Sequence, residues 1–103
     1  MTFETYHLFF KNLSNALKMR IVFELKNKNL PVNELVNRIG VEQSKLSHAL
    51  TKLKCCNIVQ SKINGKQRIY RLNKKIIVPM LNLIDKHEKS FCRGLCNYKK
   101  LRR

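Results

Sequence analysis

Seven side chains of this sequence carry metal-ligating or redox chemistry: Cys55, Cys56, Cys92 and Cys96, and His7, His48 and His87. Cys55 and Cys56 are neighbours in sequence and do not normally bridge each other. Cys92 and Cys96 stand one turn apart if a helix runs through them. There they would form a thiolate pair for zinc or another thiophilic metal ion, with His87 as a third donor, or a reversible disulfide. Gly94 lies between them and favours fraying, and the plain alternative is two small residues near a chain end. The three histidines fall in different segments, and only 6 acidic residues are present. That leaves little from which to build an acid–base pair, so an enzyme is the least supported class.

The stronger chemical signal is anion binding. Lys and Arg number 22, the formal net charge is +16 and the pI is near 10.2. Such an imbalance repels itself in a compact chain unless a polyanion shares the surface. Nucleic acid is the first candidate and an anionic membrane surface the second. The 25 residues from Gln43 to Gln67 contain no acid at all.

The elements that must position these cations follow from hydrophobic period. Phe3, Tyr6, Phe9 and Phe10 suit a short amphipathic helix over 3–12. Ser14 is placed to cap a second helix over 15–28, where Leu17, Ile21 and Leu25 recur every four positions. Pro31 fits the entrance to a third helix over 32–39, with Val32, Leu35, Val36 and Ile39 inward and Gly40 as its stop. Leu46, Ala49, Leu50 and Leu53 repeat that spacing in a fourth helix over 43–56. The period then changes. Ile58 to Ile63 is short and β-branched, Asn64-Gly65 is a hairpin signal, and Gln67 to Leu72 alternates, so 58–72 reads as a β-hairpin. A last helix over 74–93 carries Ile76, Ile77, Met80, Leu81, Leu83 and Ile84, too wide an apolar stripe for one side of a small monomer.

The expected fold is therefore mainly α with a β-hairpin wing, in the order α-α-α-α-β-β-α. Two short helices joined by a tight Gly-containing turn, with a hairpin directly after them, make a winged helix-turn-helix. The second helix of the pair enters the major groove and the first crosses behind it. With Leu46, Ala49, Leu50 and Leu53 inward, the outward face holds Gln43, Ser44, Lys45, Ser47, His48, Lys52 and Lys54. Amides, hydroxyls and cations are the groups that read base edges and phosphates. Lys62, Lys66 and Arg68 lie on the hairpin, placed for a neighbouring DNA backbone. A single domain over 1–97 and a basic tail over 98–103 complete the expected organisation.

Three stretches in this order resemble the ArsR/SmtB group of bacterial and archaeal winged-helix repressors. Leu13-Ser14-Asn15-Ala16-Leu17-Lys18-Met19-Arg20-Ile21-Val22 resembles the family's second-helix opening, L-S-D-P-T-R-L-R-I-L. Gln43-Ser44-Lys45-Leu46-Ser47-His48-Ala49-Leu50 resembles its recognition helix, Q-S-T-V-S-R-H-L. Asn64-Gly65-Lys66-Gln67-Arg68-Ile69-Tyr70-Arg71-Leu72 resembles its wing, E-G-R-x-V-Y-Y-R-L. The resemblance implies a homodimer built on the first and last helices, whose two recognition helices meet successive major grooves of an imperfect palindrome about 34 Å apart. Glu42 stands where the family has a Ser cap, which weakens the start of the recognition helix, and Ala16 stands where the family has Pro.

The resemblance also implies that a metal or oxidant releases the DNA, so the family's sensor positions bear checking one by one. The thiolate site on the third helix uses a C-V-C-D-L-type motif. Here that stretch is Pro31-Val32-Asn33-Glu34-Leu35, and both cysteines are absent. The zinc site on the last helix begins with Asp-x-His, which Asp85-Lys86-His87 matches, but its second half falls near Tyr98 and Leu101. Two ligands per chain do not close a tetrahedral shell unless Glu88, or Cys92 and Cys96, complete it. The plain reading of His87 is a solvated or interface histidine. Cys56 reads as a packing position before the wing.

A second class remains open: an effector-independent architectural or RNA-binding basic protein. Tyr70 is the one aromatic on the hairpin, which offers no stacking platform for single-stranded RNA. A third is an interaction module whose charge serves an acidic protein. No apolar run approaches the ~20 residues that span a bilayer. No small-residue cleavage pattern follows Leu8-Phe9-Phe10 either. A reducing cytoplasm is therefore expected, and the resemblance implies a prokaryotic setting on the nucleoid.

Overall fold

The computed structural model describes residues 2–92, with side chains through Ser90. The elements are α1 (Phe3–Leu13), α2 (Ala16–Leu25), β1 (Leu30–Pro31), α3 (Val32–Ile39), α4 (Gln43–Cys55), β2 (Val59–Asn64), β3 (Gln67–Leu72) and α5 (Ile77–His87). A π-helical stretch, Glu88–Cys92, continues from α5. The chain divides into two compact units, 1–73 and 74–103.

In the first unit the helices start and stop where local chemistry demands. The Thr2 hydroxyl caps α1 by accepting from the Thr5 N–H at 3.2 Å. Ser14 does not cap the second helix. It closes α1, and its hydroxyl donates to the Lys11 carbonyl at 2.9 Å. Asn15 caps α2 instead, its side-chain oxygen accepting from the Lys18 N–H at 3.0 Å. Helix α2 ends at Leu25, three residues short of the expected limit, in a run of polar residues that favour turns. Gly40 ends α3 with φ +78, and its N–H donates to Val36 at 2.8 Å.

The end of α4 holds a stop that the sequence concealed. Asn57 takes φ +55, and its N–H donates to Lys54 while the Ile58 N–H donates to Leu53 at 3.0 Å. This is a Schellman closure with Asn in the left-handed position, and it packs Ile58 into the core with Leu53. Cys56 is half-buried rather than a core residue, because the chain turns at it.

The hairpin is present, with a shifted turn. Asn64 pairs with Gln67, so the two loop residues are Gly65 and Lys66 rather than Asn64 and Gly65. Only Gly65 has positive φ, +66, which is the pattern of a type II′ turn. A strand that hydrophobic period does not announce joins the hairpin: Leu30 pairs with Tyr70 and Pro31 with Ile69, so the sheet order is β1-β3-β2. Pro31 lacks an N–H and is tolerated there because β1 is an edge.

The core of this unit is Ile21, Val22, Leu25, Leu30, Leu35, Leu46, Leu50, Leu53, Ile58, Val59 and Leu72, drawn from every element except α1. Asn73 closes the hairpin base. Its side chain donates to the Asn57 carbonyl at 3.0 Å and its N–H to Ile58 at 2.9 Å. So engaged, it does not cap the last helix.

In the second unit α5 begins at Ile77, three residues later than the expected 74, without a side-chain cap. Pro79 sits in its first turn, where a missing N–H breaks no helical bond. Ordinary helical pairing ends at His87, and the expected continuation to 93 is π-helical over Glu88–Cys92. Cys96 and the basic tail 98–103 lie outside the described residues.

Candidate nucleic-acid interface

Helix α4 separates its two faces cleanly. Leu46, Ala49, Leu50 and Leu53 are buried, while Gln43, Ser44, Lys45, His48 and Lys52 are exposed and Ser47 is half-buried. The inward set is the spacing that anchors a helix. The outward set at the N-terminal half is a row of donors and acceptors held on a rigid element. Thr51 donates back to the Ser47 carbonyl at 2.9 Å, which turns its hydroxyl away from that row. Glu42 precedes α4 without a side-chain cap bond, as the missing Ser predicts.

Lys52 stands apart from the others. It lines a groove with Leu8, Lys11, Asn12 and Lys18 of α1 and α2, and with Cys55 and Cys56. Its place is a flank rather than the reading row. Both of these cysteines are free thiols, Cys55 exposed.

On the wing the register divides the cations between two faces. Lys62 lies opposite Ile69, and Arg71 opposite Gln60, on one face. Arg68 lies opposite Ile63 on the other, where its guanidinium donates to the Ser61 hydroxyl at 3.1 Å. Lys66 occupies the loop apex and is exposed. Arg71 is a further cation on the face of Lys62, one that the outward-face argument did not single out. Its Nε donates to Gln60 at 3.2 Å, which extends it along the same face as Lys62. The alternation of Ile69 and Arg71 with Tyr70 and Leu72 is the signal that finds it.

Of the 6 acids, Glu42 stands exposed at the start of α4, just before Gln43. Glu24 of α2, only 12% exposed in its side chain, takes Arg20 at 3.2 Å and Arg38 of α3 at 3.6 Å. Arg38 also meets Glu34 at 3.6 Å. This network joins α2 to α3 and neutralises its own charges. From Gln43 to Leu72, by contrast, seven Lys and Arg face no acid within the same stretch.

The two last-helix candidates, Asp85 and His87 of α5, are both exposed. Two positions apart on a helix, they do not share a face. Cys92 lies in the π-helical stretch. Among the described residues no group of three or more His, Cys, Asp or Glu gathers to hold a metal ion. Within one chain, then, the described donors do not fit a closed zinc shell.

A helix-turn-helix with an exposed polar reading row, followed by a basic wing, defines a winged-helix DNA-binding protein. The model of the family described as "Bacterial regulatory protein, arsR family" matches residues 15–61. The regulator NmtR of Mycobacterium tuberculosis is 30% identical over 83 residues, 81% of this chain and 69% of that one. Among solved structures, Mycobacterium tuberculosis Rv0081 superposes with a TM-score of 0.76 and 28% identity, over 82% of this chain and 85% of that one. The transcriptional repressor BigR from Xylella fastidiosa superposes with a TM-score of 0.68 and 31% identity, over 88% and 86%. The chain belongs to the arsR family of bacterial regulatory proteins, and it is a DNA-binding transcriptional regulator. Among the described residues no helix is long and apolar enough to cross a membrane.

Proposed function

We propose that residues 1–97 act as one unit, a homodimeric repressor that reads an imperfect DNA palindrome. Ser44, Lys45, Ser47 and His48, with Gln43 at the helix start, face the base edges of one major groove. Lys52 meets a flanking phosphate. Lys62, Lys66 and Arg68, joined by Arg71, hold the neighbouring backbone. The observation that carries this reading is the charge partition. The chain from Gln43 to Leu72 is free of acid, whereas Glu24 and Glu34 are consumed in the α2–α3 network. A surface of that kind gains most by releasing counterions from a polyanion.

The homodimer rests on exposed apolar surface. Phe3, Tyr6, Leu8 and Phe10 of α1 are 55–77% exposed, and Leu83 and Ile84 of α5 are 66% and 55%. Large side chains in such number mark a protein contact. Repression is supported by the similarity to BigR.

The test is fluorescence anisotropy with the duplex upstream of the gene against a scrambled duplex, across a salt series. Wild-type protein is expected to prefer its own duplex at least about a thousandfold, the lower end of the range of specific regulators, about 10³–10⁷. Lys45→Ala and His48→Ala are each expected to lower that ratio about tenfold, the worth of one base-edge contact. Equal binding to both duplexes would establish the architectural alternative. Added Zn²⁺ or an oxidant in the same titration shows whether the site releases DNA on either signal.

A further inference from the structure

Helix α1 buries one side chain, and it is an amide. Asn12 is 8% exposed, while the large apolar residues Phe3, Tyr6, Leu8 and Phe10 of the same helix face outward. Its Nδ2 donates to the Lys52 carbonyl of α4 at 3.0 Å, across 40 positions of sequence. Among the described residues its Oδ1 is buried without a hydrogen-bond partner. The amide is not simply turned the wrong way, since a flip would set Oδ1 against the Lys52 oxygen and lose the one bond it makes.

As a stabilising device this is poor. An unpaired buried acceptor costs at least as much as one neutral hydrogen bond returns, and an apolar residue of the same size would serve a core better. What the amide supplies is direction. The carbonyls of Leu53 and Lys54 are taken by Ile58 and Asn57 in the Schellman closure. The Lys52 carbonyl, one position further in, receives its donor from another helix. Helix α4 is thus held at its C-terminal half, about 10 Å along the axis from Lys45 at 1.5 Å per residue. A small change of tilt there moves the reading row at the other end.

We infer that Asn12 is a positioning residue for DNA reading: its hydrogen bond to the Lys52 carbonyl fixes the pose of α4 and so aims Ser44, Lys45 and His48 at the base edges. This rests on the proposed role of α4 as the reading helix. Asn12 touches no DNA in this scheme and carries no charge, so its loss removes no cation from the interface.

The experiment compares wild-type full-length protein with Asn12→Leu and Asn12→Ala, using the upstream and scrambled duplexes at several salt concentrations. Both variants are expected to keep the wild-type salt slope and to bind the scrambled duplex within twofold of wild type. Their preference for the upstream duplex is expected to fall about tenfold, as one misaimed base contact would cause. Far-UV circular dichroism and thermal melting accompany each titration, and Asn12→Leu is expected to melt no lower than wild type. Asn12→Ala keeps the question open to test if the larger side chain disturbs the fold. A ratio within twofold of wild type in a folded variant overturns the inference, and so does equal weakening on both duplexes. Lys45→Ala separates the two levels. If it too leaves the ratio intact, the reading-helix assignment has failed, and if it alone lowers the ratio, only the role of Asn12 has.

Discussion

Helices α1 and α4 are near inversions of each other. The 11 residues of α1 turn Phe3, Tyr6, Leu8 and Phe10 outward and bury one amide. The 13 residues of α4 bury Leu46, Ala49, Leu50 and Leu53 and turn outward an amide, hydroxyls, an imidazole and cations. The same physics produces both. An amphipathic helix must hide its apolar side, and α4 hides it inside the chain. Helix α1 leaves it for a second copy in the proposed dimer. One surface is therefore made for protein and the other for a polyanion, and binding a palindrome needs both at once.

The contrast is broken most severely on the α1 side. Phe10→Asp places a charge in the proposed subunit contact and is expected to give a monomer by light scattering. Loss of the paired half-site then lowers affinity for the upstream duplex by about 10²–10⁴, the range set by effective concentration. A variant that remains dimeric would remove α1 from the contact. On the α4 side, Leu50→Ala opens the buried half. With no exposure in the folded state, Leu50 is expected to contribute about 3 kcal/mol, read as a lower urea midpoint at unchanged slope. A smaller effect comes from the wing. Lys66→Ala is expected to weaken both duplexes alike and to reduce the salt slope by about one per half-site. A change of sequence preference instead would make Lys66 a reader. The smallest effect sharpens the helix start: Glu42→Ser supplies the missing cap and is expected to raise stability by about 0.5–1 kcal/mol in thermal melting.

The outward polar face of α4 and the buried leucines of α3 and α4 are legible because helical period and outward polarity coincide there. Leu35, Leu46, Leu50 and Leu53 are buried where their spacing places them. The misplacements arise where one residue type serves two roles. Ser14 and Asn15 are both cap formers, and only the backbone decides which one opens α2. Asn64-Gly65 and Gly65-Lys66 are both acceptable turns, and the strand pairing selects the second. Leu30-Pro31 is too short to show a period, so β1 emerges only from its partner. Arg71 falls on the face of Lys62 only when strand alternation is followed through the cations as well as the apolar residues.

Strand β1 has a consequence for how the molecule is assembled. Two-stranded hairpins are marginal in water, and the third strand that steadies this one comes from the connection between α2 and α3. β3 is central to the sheet, with Tyr70 facing Leu30 on one side and Ser61 on the other. A chain emerging from the ribosome can gather its first helices early, but it cannot close the sheet until Tyr70 is free. The stretch that carries the family signature, 15–61, stops before β3 begins and would leave β1 and the start of β2 with no strand between them. The smallest fragment able to hold the reading helix in register therefore reaches Asn73, where the hairpin base is tied.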